Sequence, residues 1–167
     1  AAISQVQQAL IVGGILAFIV LFLFLHDARQ PINIMLAMPT SILATFILMY
    51  FSGVSLNMIS LGGLALGIGM LVDNAIVVLE NIYRRHSGGL SLDEAAVEGT
   101  KEVGLAIGAS TLTTIAVFFP MFYIEGVAGE LFKDQSFTVT FSLVASLVVA
   151  MSLLPMTVAR WTNRAKR

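Results

Sequence analysis

Residues 69–85, GMLVDNAIVVLENIYRR, decide how the chain is read. They overlap an apolar run, 58–79, that is long enough to cross a bilayer, because a helix needs about 20 apolar residues to span the hydrocarbon. Yet that run holds Asp73 and Asn74 side by side. An ionisable group at mid-bilayer costs about 2.5–3.5 kcal/mol on insertion scales, so by default it marks function rather than packing. In general, desolvation disfavours a charged carboxylate and a nearby cation favours it; a site balanced between the two loads and releases a proton near neutral pH. Asp73 is therefore a candidate proton-relay acid. Asn74 can donate and accept, and so can hold the acid or a water without adding charge. The competing reading of Asp73 is a structural polar contact inside a helix bundle.

The rest of the chain belongs to the same solvent. Of its 167 residues 57% are hydrophobic and 11% charged, against about a quarter charged in soluble domains. Five stretches, 9–25, 32–51, 58–79, 103–124 and 137–158, predict an all-α membrane protein, a bundle of five transmembrane helices forming one transmembrane domain over 1–167. An amphipathic lead-in, 3–8, precedes the first. After the Gly88-Gly89 break, Ser91 with Glu94 three residues on predicts a capping box that starts a short cytoplasmic surface helix over 92–101. Pro39, Pro120 and Pro155 fall inside or near the ends of spans, where neighbouring helices tolerate the missing donor.

Charge placement orients the bundle. Arg29, then Arg84, Arg85 and Lys101, then Arg160, Arg164, Lys166 and Arg167 occupy one set of connections, whereas the alternate set holds only Lys133. The positive-inside rule makes the first set cytoplasmic, so the N-terminus and the 52–56 and 125–136 loops face outward and the C-terminus faces the cytoplasm. Tyr50, Tyr83, Tyr123 and Trp161 all fall at predicted span ends, as interfacial aromatics should.

Several function classes are excluded. With 9 Lys+Arg against 10 Asp+Glu there is no electrostatic case for nucleic acid. Cysteine is absent and the two histidines, His26 and His86, lie in polar connections, so neither a thiolate metal site nor a disulfide is available. No metal site, cofactor or enzymatic activity is expected of the chain.

Other residues attach to Asp73 by depth or spacing. Thr113 and Thr114, with Ser110 and Thr111, bring hydroxyls to a similar depth on the fourth span and are candidate relay support; alternatively they bond their own helix backbone. Glu80, seven residues beyond Asp73 on nearly the same face, either supports the relay or pairs with Arg84 at i+4. Gly63 and Gly67, a small-xxx-small pair, predict close approach of another helix.

The run SGVSLNMISLGGLALGIGMLVDNAIVVLENIYRR resembles the fourth-helix signature of resistance-nodulation-division (RND) efflux pumps, whose V-D-[DN]-A-I-V-V-x-E-N core carries the proton-accepting acid. GASTLTTIAVFFPMFYIEGVAGELFKDQSFTVTFSLVASLVVAMSLLP is similar to the family's fifth and sixth helices, including a G-x-x-G-x-x-F connection, and LFLFLHDARQPINIMLAMPTSILATF to its second and third. The resemblance implies helices two to six of a twelve-helix multidrug efflux pump of the bacterial inner membrane, a proton/substrate antiporter exporting hydrophobic or amphiphilic small molecules. Asp73 then matches the first acid of the family's pair and Asn74 replaces the second. It further implies, as partners besides membrane lipid, a C-terminal half with a Lys-bearing helix, a homotrimeric assembly, and a periplasmic adaptor with an outer-membrane channel. The family's metal-exporting members resemble V-D-A-A-I-V rather than the V-D-N-A-I-V found here. A related secretion or lipid-export subunit, or a non-transporting scaffold in which Asp73 only pairs with a partner helix, are the alternatives.

Overall fold

The computed structural model describes residues 29–165 together with Gln8, Ile11, Val12, Ile15, Leu16, Ile19 and Val20, with side chains of the longer stretch described over 32–160. The expected first span, 9–25, lies outside the described residues except at six of those positions, which are helical and exposed. The lead-in 3–8, apart from Gln8, and the side chains of Arg29, Trp161 and the basic tail also lie outside them.

Every regular element among the described residues is helical: α1 (Arg29–Ser52), α2 (Met58–Ser87), α3 (Leu92–Phe118), a 3₁₀ segment (Phe119–Tyr123) and α4 (Val127–Ala165). Four spans, Ile32–Ser52, Met58–Ser87, Leu92–Tyr123 and Val127–Arg160, are long and apolar enough to cross a membrane. Helices are the economical solution here, because each backbone group finds its partner within its own segment where lipid supplies none.

The boundaries depart from the expected ones for identifiable reasons. α2 runs past 79 to Ser87, since nothing breaks it before Gly88, whose amide bonds the carbonyls of Arg84 and Arg85, and Gly89, at φ +105. The capping box at Ser91 is present: the Glu94 amide donates to Ser91 Oγ at 3.3 Å and the Ser91 amide to Glu94 Oε2 at 3.2 Å. The segment 92–101 is nevertheless no separate surface helix. It forms the first turns of α3, because Ala95, Ala96, Gly99 and Thr100 are buried and hold this end against the bundle. At the other end α3 stops at Phe118 rather than 124: Pro120 offers no amide for an α-helical bond, and the chain tightens into the 3₁₀ segment.

α4 starts well before 137, and the two glycines of the G-x-x-G-x-x-F connection explain how. Gly126 takes φ +85, open to glycine without strain. At Gly129 a Cβ would stand 2.0 Å from the Ile124 carbonyl oxygen, so this tight entry into α4 admits no side chain.

α4 packs against α1, α2, α3 and the 3₁₀ segment, and half of its apolar window is buried, against 11% for α3. It is the central helix. The core gathers Ile34 and Ala37 of α1, Leu71, Ala75, Val78, Leu79 and Ile82 of α2, Ala95, Ala96 and Ile107 of α3, and Val149, Ala150, Leu154 and Val158 of α4. In lipid such contacts are held by close packing rather than by expulsion of water, so small residues at the crossing points matter more than bulk.

Candidate functional site

Asp73 is the sixteenth of the 30 residues of α2, at the midpoint of the span. Its helix buries Leu71, Ala75, Val78, Leu79 and Ile82 and leaves another face uncovered. On that face, at intervals of three and four residues, lie Gly62, Leu66, Gly69, Asp73, Val77 and Glu80, all exposed. Nothing approaches within 4 Å of where a Cβ would stand on Gly62 or Gly69. The acid therefore points away from the bundle on a stripe that, apart from Glu80, is apolar or small. Among the described residues no side chain bonds Asp73 or the half-buried Asn74, so whatever charge or water meets the carboxylate comes from outside them.

The opposite face of α2 is fixed by glycine contacts. Gly63 lies against α4, a Cβ there standing 3.1 Å from the Gln135 carbonyl oxygen and 3.2 Å from Val139 Cγ2. Gly67 is tighter still, with Ser142 Oγ at 2.1 Å and Ser142 Cβ at 2.2 Å from its absent Cβ. The Ser142 side chain fills the notch that glycine leaves, and its hydroxyl has no hydrogen-bond partner among the described residues.

Both ends of α2 are tied to neighbours. At its N-terminal end Asn57 Oδ1 accepts from the amides of Ile59 (2.9 Å) and Ser60 (2.8 Å), capping the helix, while Asn57 Nδ2 donates to Asp134 Oδ2 of α4 at 3.0 Å. Ser55 Oγ donates to the same oxygen at 3.0 Å. At its C-terminal end Asn81 is only 5% exposed. Its Nδ2 donates to the Gly99 carbonyl oxygen at 2.7 Å and to Glu102 Oε2 at 2.8 Å, both on α3, and its Oδ1 accepts from Arg84 Nε at 3.0 Å. Arg85 Nε also reaches Glu102 Oε2 at 3.0 Å.

The remaining candidates fall as follows. Thr113 Oγ1 donates to the Ala109 carbonyl at 2.9 Å and Thr114 Oγ1 to the Ser110 carbonyl at 3.0 Å, so in this conformation both hydroxyl protons are spent on their own helix. Glu80 is exposed and does not pair with Arg84, whose guanidinium turns instead to Asn81 and to Glu102 Oε1 at 3.2 Å. The better partner is the one on another helix that also meets the buried Asn81. Sequence alone assigns no role to Asn57, Glu102 or Asp134, and Asn81 enters it only as the last residue of the V-D-[DN]-A-I-V-V-x-E-N run; the signal for its structural part is a polar residue one position before Ile82 and three after Val78, on the face those two bury.

The model of the AcrB/AcrD/AcrF family matches residues 1–167. Multidrug resistance protein MdtC of Escherichia coli O139:H28 is 39% identical over 167 residues, covering 100% of this chain and 16% of that protein. MdtC of Photorhabdus laumondii is 40% identical over 156 residues, covering 93% of this chain and 15% of its own length. A crystal structure described as a heavy metal efflux pump superposes with a TM-score of 0.76 at 34% identity, over 90% of this chain and 15% of that one. The chain thus spans about one sixth of the length of the relatives it matches. With the family model covering the chain from end to end, over helices whose midpoint acid stands in the V-D-N-A-I-V-V-L-E-N run, the chain belongs to the AcrB/AcrD/AcrF family of RND efflux transporters.

Proposed function

We propose that this chain supplies half of the membrane domain of a proton-driven efflux pump of the bacterial inner membrane, and that Asp73 is the acid that takes up and releases the proton. The observation that carries the reading is the position of Asp73: mid-span, on an uncovered face of α2, with Gly62 and Gly69 leaving room for a further helix. A cation-bearing helix from the C-terminal half of the same pump fits that face. Neutralising Asp73 weakens its attraction to such a cation, and α2 then shifts relative to the other half. Moving one charge through 100 mV supplies about 2.3 kcal/mol, enough to bias such a two-state packing. Asn74, Glu80, Thr113 and Thr114 support proton passage through water rather than by direct contact with the acid, with Thr113 and Thr114 releasing their backbone bonds on one side of the cycle. The intact pump is a homotrimer working with a periplasmic adaptor and an outer-membrane channel.

Export of hydrophobic or amphiphilic small molecules is the substrate reading, supported by relatives named for multidrug resistance at 39–40% identity. The 34% identical heavy-metal pump supports a second reading, export of metal ions. Cells carrying the intact pump, challenged in parallel with a cationic dye and with zinc or copper, separate the two. The proton reading is tested by Asp73→Asn in the intact pump: export is lost while assembled protein stays near the parental level. Export that persists, or an assembly that fails, contradicts the relay and favours a scaffold role.

A further inference from the structure

We infer that Asn81 is a positioning residue for the relay, locking the rotation and depth of α2 against α3 so that Asp73 is presented at one fixed place on the uncovered face. The inference rests on the proposed proton reading and adds to it a residue that never touches the proton.

Three observations converge on this point. First, Asn81 is buried and makes its hydrogen bonds across a helix boundary rather than along its own backbone, to Gly99 O at 2.7 Å and Glu102 Oε2 at 2.8 Å. A buried amide that loses such partners is left desolvated without compensation, so the geometry is strongly preferred. Second, the two helices meet backbone to backbone here. A Cβ on Gly99 would stand 3.0 Å from both Cα and N of Ile82, leaving no slack for α2 to slide or turn. Third, Asn81 is eight residues from Asp73, about 12 Å along the axis and about 80° around it. A helix fixed at Asn81 carries Asp73 rigidly over that short lever.

The charged groups around the clasp are Arg84 and Arg85 from α2 and Glu98 and Glu102 from α3. Among the described residues the charged group nearest Asp73 along the bundle is Glu80 on its own helix, since 103–118 of α3, 135–159 of α4 and 32–52 of α1 contain none. A change at Asn81 therefore reaches Asp73 by displacement of the helix, not by altering a charge next to it.

The test uses the intact pump. Asn81→Asp keeps the shape of the side chain but removes both amide donors and sets a second carboxylate beside Glu102. Glu102→Ala removes the same cross-helix bond from the other side, and Gly99→Ala pushes the helices apart by a few tenths of an ångström without touching either residue. The expected result is normal assembly with the pH midpoint of export per assembled pump displaced by at least about half a unit in all three, and an Asn81→Asp/Glu102→Ala double variant displaced less than the sum of the two. If Asn81→Asp does not assemble, Glu102→Ala and Gly99→Ala carry the measurement. Reduced assembly with a parental pH midpoint in the pumps that do form overturns the positioning role. An Asp73→Asn pump that still exports overturns the proton reading instead; a dead Asp73→Asn pump beside unshifted Asn81, Glu102 and Gly99 variants overturns the positioning role alone.

Discussion

Asn57 and Asp134 meet at 3.0 Å, Nδ2 to Oδ2, so the residue that caps the N-terminal end of α2 also fastens it to α4. One side chain performs two tasks, and they can be separated. Asn57→Ala removes both the cap and the tie; an N-cap loss costs about 1 kcal/mol, which corresponds to roughly fivefold faster local opening. Asp134→Ala removes the tie and leaves the cap. Hydrogen exchange of the intact pump is expected to show the amides of Ile59 and Ser60 exchanging about fivefold faster in Asn57→Ala and less so in Asp134→Ala. Equal acceleration in both would mean that the cap depends wholly on Asp134.

The Gly67–Ser142 notch allows a size exchange. Gly67→Ala forces a methyl group into space held by Ser142 Cβ and Oγ, an overpacking cost of about 1–3 kcal/mol. Ser142→Ala does not relieve it, because the Ser142 Cβ is itself 2.2 Å from the new carbon. Ser142→Gly does. The amount of folded pump recovered after mild heating is expected to fall for Gly67→Ala, to stay low for Gly67→Ala/Ser142→Ala, and to return toward the parental level for Gly67→Ala/Ser142→Gly.

Much of the fold was legible because the bilayer imposes one length and one hydropathy on every span. The expected stretches 32–51, 58–79, 103–124 and 137–158 each fall on a described helix or, past Phe118, on the 3₁₀ segment that continues α3, with only Ile124 beyond its end. Ends were harder to read. Polar turns such as those at 80–87 and 92–102 continue a helix when a neighbour buries one side of them, and burial of Ala95 or Gly99 is a tertiary fact that hydropathy does not carry. Asp73 stood out because a mid-span acid conflicts with its surroundings. Asn81 did not, since an asparagine near a helix end conflicts with nothing until Gly99 and Glu102 are brought to it from 18 and 21 residues away. The Glu80–Arg84 pairing went wrong for the same reason: i+4 spacing describes an isolated helix, and Arg84 had a better acceptor on α3.

The central claim is that Asp73 changes its protonation state as the pump works. The most direct measurement is the carboxyl stretch of isotope-labelled aspartate in the intact, membrane-embedded pump, assigned through Asp73→Asn and followed across the conformations of turnover. The account expects a protonated-carboxyl band that appears in one conformation and disappears in another, and that is missing from Asp73→Asn. A band that is constant in every conformation, whether present or absent, contradicts it.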